Sequence, residues 1–174
     1  MDGPSGEAIP RRGRGTGDGA PESALPWNEA EQRLGQGGWF WLATVRPDGA
    51  PHVMPVFAVW SAGALYLASK DTARKSRNLA GEPRCVLTHD AGDLHLIVEG
   101  TARKATDDAT LSRASAAFAT VYDWPTRVSG GKLDADYGAP TSGGPPYRVY
   151  QVVPTKIFAL PIDGSFLPTR LRFA

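Results

Sequence analysis

Short β-prone runs, separated by turns too tight to hold a helix, constrain the fold of this chain more than any other feature. Residues 39–45 (Trp-Phe-Trp-Leu-Ala-Thr-Val) end at Arg46-Pro47-Asp48-Gly49, where proline and glycine sit in favourable turn positions. A second run, 51–60, meets a Ser-Ala-Gly turn, and a third covers 64–69. Three such runs predict an antiparallel meander. Residues 84–89 and 94–104 flank an Ala-Gly-Asp turn. In the longer of them Leu94, Leu96 and Val98 alternate with His95, Ile97 and Glu99, so one face is apolar and the other mixed. Residues 147–153 and 155–160, offset by Pro154, and a short run at 169–173 complete the set. Six or seven antiparallel strands with a few small helices predict a mainly β, closed barrel, because closure removes exposed sheet edges.

The remaining segments sort by what they can bury. Residues 1–25 are dominated by Gly, Pro, Arg, Asp and Ser, which predicts a disordered tail ahead of one domain at 26–174. Gly13, Gly15, Gly17 and Gly19 in that tail lack the preceding strand and following helix that a phosphate cradle needs. An amphipathic helix is expected from Trp27 to Leu34, ended by Gly35, Gly37 and Gly38. Another is expected from the Thr106-Asp107-Asp108 cap to Val121, with Leu111, Ala114, Ala117, Phe118 and Val121 on one side. Residues 122–146 show no periodicity, and a loop of that length usually acts on or covers something. Trp124, Tyr137 and Tyr147 are candidates either for the wall of a substrate site or for holding the loop down.

Charge and cysteine use narrow the setting. A formal charge of +1 over 174 residues argues against nucleic-acid and membrane-surface partners. A single cysteine, Cys85, rules out an internal disulfide and points to a reducing cytoplasm. Its apolar neighbours mark it as a buried thiol. No apolar stretch is long enough to span a bilayer, and the first residues do not resemble a signal peptide. His52, His89 and His95 lie on different strands without metal-ligand spacing, so no metal is expected.

The segment 69–81, Ser-Lys-Asp-Thr-Ala-Arg-Lys-Ser-Arg-Asn-Leu-Ala-Gly, carries the chemistry. It reads as a short helix capped by Asp71 or Thr72 and ended by a left-handed Gly81. Arg74, Lys75 and Arg77 crowd its first half, toward the positive end of the helix dipole. Each such cation costs about 0.3–1 kcal/mol when exposed. An anion resting on the free N–H groups would reverse that cost. A phosphate site and a solvated basic helix both fit these residues.

In order along the chain, Trp41-Leu-Ala-Thr-Val-Arg-Pro-Asp-Gly-Ala-Pro-His-Val-Met-Pro-Val, Leu65-Tyr-Leu-Ala-Ser, Arg74-Lys-Ser-Arg-Asn-Leu and Val98-Glu-Gly-Thr-Ala resemble the split β-barrel flavin-binding superfamily founded on pyridoxamine 5'-phosphate oxidase. The ending Thr169-Arg-Leu-Arg-Phe resembles the Thr-Arg-Trp-Arg-Phe terminus of its coenzyme F-420 branch, with Leu171 in place of the Trp. The resemblance implies a homodimeric, cytoplasmic oxidoreductase with cofactor sites at the subunit interface. It would pass hydride from reduced F-420, a deazaflavin, to an enone, quinone or tetrapyrrole. An FMN enzyme on the same barrel and a non-catalytic carrier of cofactor or haem are the alternatives. It further implies that Lys75 meets the cofactor phosphate, with Ser69 and Asn78 nearby and Ala68 beside them. Arg74 and Lys70 would meet the phosphate or an acidic tail, to which Arg77 also contributes charge. His52, Val53, Met54, Pro55 and Val56 would lie along the cofactor ring. Pro55 cannot donate to a ladder, so its strand should be an edge or bulged there. No catalytic acid–base pair is expected, because the cofactor carries the chemistry.

Overall fold

The computed structural model describes residues 3–10, 23–139 and 143–173. In chain order its elements are β1 (Ser5–Ala8), α1 (Trp27–Gly35), β2 (Trp39–Val45), β3 (Pro51–Ser61), β4 (Ala64–Ser69), α2 (Arg74–Gly81), β5 (Arg84–Asp90), β6 (Leu94–Lys104), α3 (Asp108–Tyr122), β7 (Thr126–Ser129), β8 (Lys132–Ala135), β9 (Arg148–Pro161) and β10 (Thr169–Arg172). Six antiparallel strands run β9-β4-β3-β2-β5-β6, and β6 pairs back onto β9 to close the expected barrel.

Strand β9 organises that barrel. One edge pairs with β6 over most of its length, while the other serves two partners in turn. Arg148–Val152 pairs with β4 and Lys156–Ala159 with β10. Pro154 falls between the two, where the edge facing β4 and β10 has no ladder partner for it to fail. The two strands expected around Pro154 are therefore one continuous strand. Opposite Pro154, the register shifts at Glu99/Gly100. A Cβ on Gly100 would lie 2.5 Å from the Val153 carbonyl oxygen, so only glycine lets β6 pass there.

Two further segments depart from expectation. Ser5–Ala8, placed in the unstructured tail by its composition, forms β1 against β10, with Glu7 paired to Arg170 at 2.6 Å. Main-chain pairing at a sheet edge needs little apolar content, which is why composition concealed it. Leu25 is also buried, its N–H donating to Thr169 Oγ1. The glycines at 13, 15, 17 and 19 lie outside the described residues. Within 122–146, β7 and β8 form a hairpin.

The apolar side chains settle into two cores. Inside the barrel, Phe40, Leu42, Leu65, Leu67, Leu87, Leu96 and Val152 pack with Ala30 and Leu34 of α1 and Leu79 of α2. Outside it, Leu111, Ala114 and Phe118 of α3 and Leu133 of β8 cover Val59, Tyr66 and Val149. That second layer shields the outer face of β3, β4 and β9 but leaves Trp39, Trp41, Val45 and Val53 exposed on β2 and β3. The bare stretch and α2 sit at neighbouring positions on the barrel, and together they position the candidate site.

Candidate functional site

Helix α2 is inverted relative to an ordinary surface helix. Its buried residues are Lys75, Ser76, Asn78 and Leu79, three of them polar. Its N-cap is Ala73, which has no side-chain acceptor, and its first turn holds no acidic residue. The first helical bond runs from Arg77 N–H to the Ala73 carbonyl at 3.1 Å, leaving the N–H groups of residues 74–76 without helical partners. The expected caps are otherwise employed or absent. Asp71 is clasped by Lys132 at 3.0 Å, Arg148 at 3.5 Å and Lys104 at 3.7 Å. The Lys132 bond, followed by Arg148, holds its carboxyl below the usual range. Those cations come from β8, β9 and β6, distant in sequence, and they outcompete the helix for the carboxylate. Nor does Gly81 turn left-handed. The chain leaves α2 through an extended Glu82 whose N–H returns to the Asn78 carbonyl at 2.8 Å.

Lys75 is only 5 % exposed and makes no ion pair or hydrogen bond among the described residues. Burial alone pushes its ammonium pKa down. Asn78 Nδ2 donates to Thr44 Oγ1 at 3.0 Å, while Asn78 Oδ1 is buried without a partner. Ser76 donates to the buried Ser69 hydroxyl at 3.0 Å. The Tyr150 hydroxyl, beside Ser76, is likewise buried and unpartnered. A buried lysine, first-turn N–H groups without helical partners and the unpartnered polar atoms of Asn78 and Tyr150 thus lie on or beside one helix. Buried polar groups normally find partners, so this arrangement fits the phosphate and polar edge of a ligand.

Strand β3 supplies the adjoining wall. Thr44 Oγ1 donates to the His52 carbonyl at 3.3 Å, linking α2 through β2 to β3. Burial first, then the charges of Arg46, Arg74 and Lys75, push the His52 imidazole pKa down and keep the ring neutral. Val53 and Met54 are exposed and Pro55 half-buried. β4 pairs with β3 only from Ala58 onward, so Pro55 sits on a free edge, as its missing N–H requires. Val56 points into the barrel core, leaving only its main chain for a ligand.

The fold thus brings Ser69, Lys75, Asn78, His52 and Arg74 together. Ala68, next to Ser69 on β4 and so facing the other way, packs against the outer core and leaves only its main chain for a ligand, and Lys70 reaches toward Gly143, where an added Cβ would lie 3.8 Å from its Nζ. Sequence reasoning missed Thr44, Arg46, Ser76 and Tyr150. Thr44 had a signal: it is the polar member of the inward alternation Phe40, Leu42, Thr44. Trp124 and Tyr147 are buried in the outer core, and the exposed Tyr137 donates to the Asp123 carbonyl at 2.9 Å. All three hold the segment down. Glu99 pairs with Lys156 at 2.7 Å. Burial pushes the Cys85 thiol up to about 12, consistent with an inert side chain. Among the described residues no helix is long and apolar enough to cross a membrane.

Residues 27–160 match the pyridoxamine 5'-phosphate oxidase family. No curated protein sequence matches the chain. Among solved structures, a conserved hypothetical protein from Mycobacterium tuberculosis superposes with TM-score 0.61 at 18% identity, covering 79% of this chain and 85% of that one. An F420 reductase gives 0.53 at 22%, covering 73% and 94%. A FAD-binding protein from Mesorhizobium loti gives 0.56 at 16%, covering 86% and 96%. At these identities the structural likeness speaks for the fold.

Proposed function

The chain belongs to the pyridoxamine 5'-phosphate oxidase family, and from that premise we propose that it is an oxidoreductase gripping a phosphate-bearing, flavin-type cofactor at the N-terminus of α2. The observation that carries this reading is Lys75, a buried cation with no counter-charge among the described residues, in the first turn of a helix with no acidic cap. Taking a charge out of water is costly unless something pairs with it. A phosphate resting on the open N–H groups would supply the pairing.

The finer assignment is to coenzyme F-420 as hydride donor to an enone, quinone or tetrapyrrole. Lys70, Arg74 and Arg77 support it, since they supply positive charge beyond one phosphate contact and that coenzyme carries an acidic tail. The likeness to an F420 reductase supports it also. FMN is the alternative, because the same phosphate grip serves it and a FAD-binding protein shares the fold.

The cofactor, when bound, supplies the hydride chemistry. The chain's own residues hold and orient it. Lys75 and the first-turn N–H groups would fix the phosphate, and Asn78 Oδ1 would accept one hydrogen bond from the ligand's polar edge. The neutral His52 would line the ring-binding wall without adding charge, while the free edge of β3 at Val53–Pro55 would present main-chain groups. Exposed Val45 and Val53, on the outward side of β2 and β3, offer an apolar face on which a second copy would exclude water from that wall and complete a homodimer.

Calorimetric titration of the ligand-free protein with F-420 and with FMN tests the reading. Saturable F-420 binding that Lys75→Ala weakens supports it. Preferential FMN binding selects the alternative. Binding of either cofactor with no turnover of enones, quinones or biliverdin selects a carrier, and affinity indifferent to Lys75 removes the α2 site.

A further inference from the structure

Thr44 touches both halves of the α2 site. It is 2% exposed on the inward side of β2, and its Oγ1 lies 3.0 Å from Asn78 Nδ2, 3.3 Å from the His52 carbonyl oxygen and 3.4 Å from His52 Nδ1. A hydroxyl has one proton to give and lone pairs with which to accept. The proton goes toward His52, whose carbonyl can only accept, and the lone pair left for Asn78 is met by the amide N–H. The other end of that amide, Oδ1, is left buried and without a partner.

Turning the amide over would be worse. With Oδ1 toward Thr44, the hydroxyl proton would be diverted from His52, and both N–H groups of Asn78 would lose their acceptor. A buried donor left unmade carries the full penalty of its lost water. Lys75, three positions earlier on the same face of α2, brings only donors and could not relieve it. Thr44 thus decides that Asn78 presents an acceptor.

That acceptor changes what the site can hold. The Lys75 ammonium and the first-turn N–H groups donate and call for an anion, whereas Asn78 Oδ1 calls for a donor. The Cβ atoms of residues three apart on a helix stand about 5–6 Å from each other, so anion and donor belong on the same short stretch of ligand. A fully ionised phosphate brought against Oδ1 would set acceptor against acceptor. β4 pairs with β3 only from Ala58 onward, which leaves the His52 side of this spot open to a ligand.

We infer that Thr44 is a positioning residue that sets the Asn78 amide, and that the α2 site takes a phosphate ester with a hydroxyl on the neighbouring carbon, donated to Asn78 Oδ1. The inference rests on the phosphate grip proposed above and narrows it. A plain alkyl phosphate answers Lys75 and leaves Oδ1 orphaned, while a polyol phosphate answers both.

Phosphorus-NMR titration of the full chain with glycerol 3-phosphate and propyl phosphate tests it. The two share chain length and phosphate, and at about pH 7.5 both are predominantly dianions with no phosphate O–H of their own. Glycerol 3-phosphate should bind about two- to ten-fold more tightly, the usual worth of one hydrogen bond. Thr44→Val keeps the side chain's shape but removes the hydroxyl, and should bring the two affinities together by weakening glycerol 3-phosphate alone. Thr44→Ser should restore the difference. Lys75→Ala should weaken both probes. Equal affinities in the unaltered protein, a comparison that needs no variant to fold, overturn the inference while leaving the phosphate grip in place. A difference that survives Thr44→Val overturns the role of Thr44. Binding of neither probe at millimolar concentration, or binding indifferent to Lys75, overturns the phosphate grip itself and the inference with it.

Discussion

At the start of α3, Asp107 accepts the Thr110 N–H at 2.8 Å and Asp108 follows in the first turn. At the start of α2, Ala73 caps nothing, no acid follows, and Arg74 and Lys75 face the same positive dipole. One helix completes its own electrostatics; the other leaves them incomplete. The buried faces differ in the same sense, since α3 buries Leu111, Ala114, Ser115 and Phe118, while α2 buries Lys75, Ser76, Asn78 and Leu79. What the difference teaches is that α2 is not optimised for its own stability. An unfinished helix start in an otherwise well-packed barrel is the mark of a place where something else supplies the missing charge.

The largest expected effect tests that asymmetry directly. Lys75→Ala should weaken cofactor binding by about 1.5–3 kcal/mol, the worth of a hydrogen bond to a charged group. The same change should leave the melting temperature of the ligand-free protein unchanged or higher, because a desolvated cation is removed. A large drop in melting temperature with intact affinity would mean that Lys75 is merely structural. Asp107→Ala should do the reverse: thermal denaturation should show a fall of a few degrees, with cofactor affinity untouched.

Ala73→Asp asks whether α2 can be completed internally. It should raise the melting temperature slightly while lowering cofactor affinity, since the new carboxylate competes for the N–H groups. If calorimetry finds affinity raised, the anion does not sit there. The smallest effect is in pH. Burial holds the Lys75 pKa below its ordinary 10.5 in the folded protein, so the unfolded chain binds more protons between that lowered value and 10.5. Stability of the ligand-free protein should therefore rise with pH across that window, and the gain is lost as pH falls through the lowered value. Denaturant titrations of Lys75→Met should lack this rise.

Much of the barrel was legible in the residues. The bounds of β2, β4 and β6 coincide with the alternating runs, and the Asp107 cap of α3 stands where Thr-Asp-Asp placed it. These features depend on neighbours a few positions away. The hairpin β7–β8 was hidden because it consists of four-residue strands amid glycine and proline, too short to show a period. β1 was hidden because its partner, β10, lies some 160 positions away and the pairing is main-chain. The basic segment stood out as the place of the candidate site, but its wiring did not. Asp71 looked like a cap by position, and only the convergence of Lys104, Lys132 and Arg148 shows that it is spoken for.

Strand alternation, turn residues and the charge run at Arg74–Arg77 were decided by the sequence alone, because each is a property of a short stretch of chain. Which of those charges is buried was decided by the tertiary structure. Lys75 is buried where α2 packs on β2 and Ser76 bonds to Ser69 of β4, and the lack of a counter-charge among the described residues results from side chains brought together across the whole barrel. Desolvation depends on everything that surrounds a group, and no local pattern encodes it.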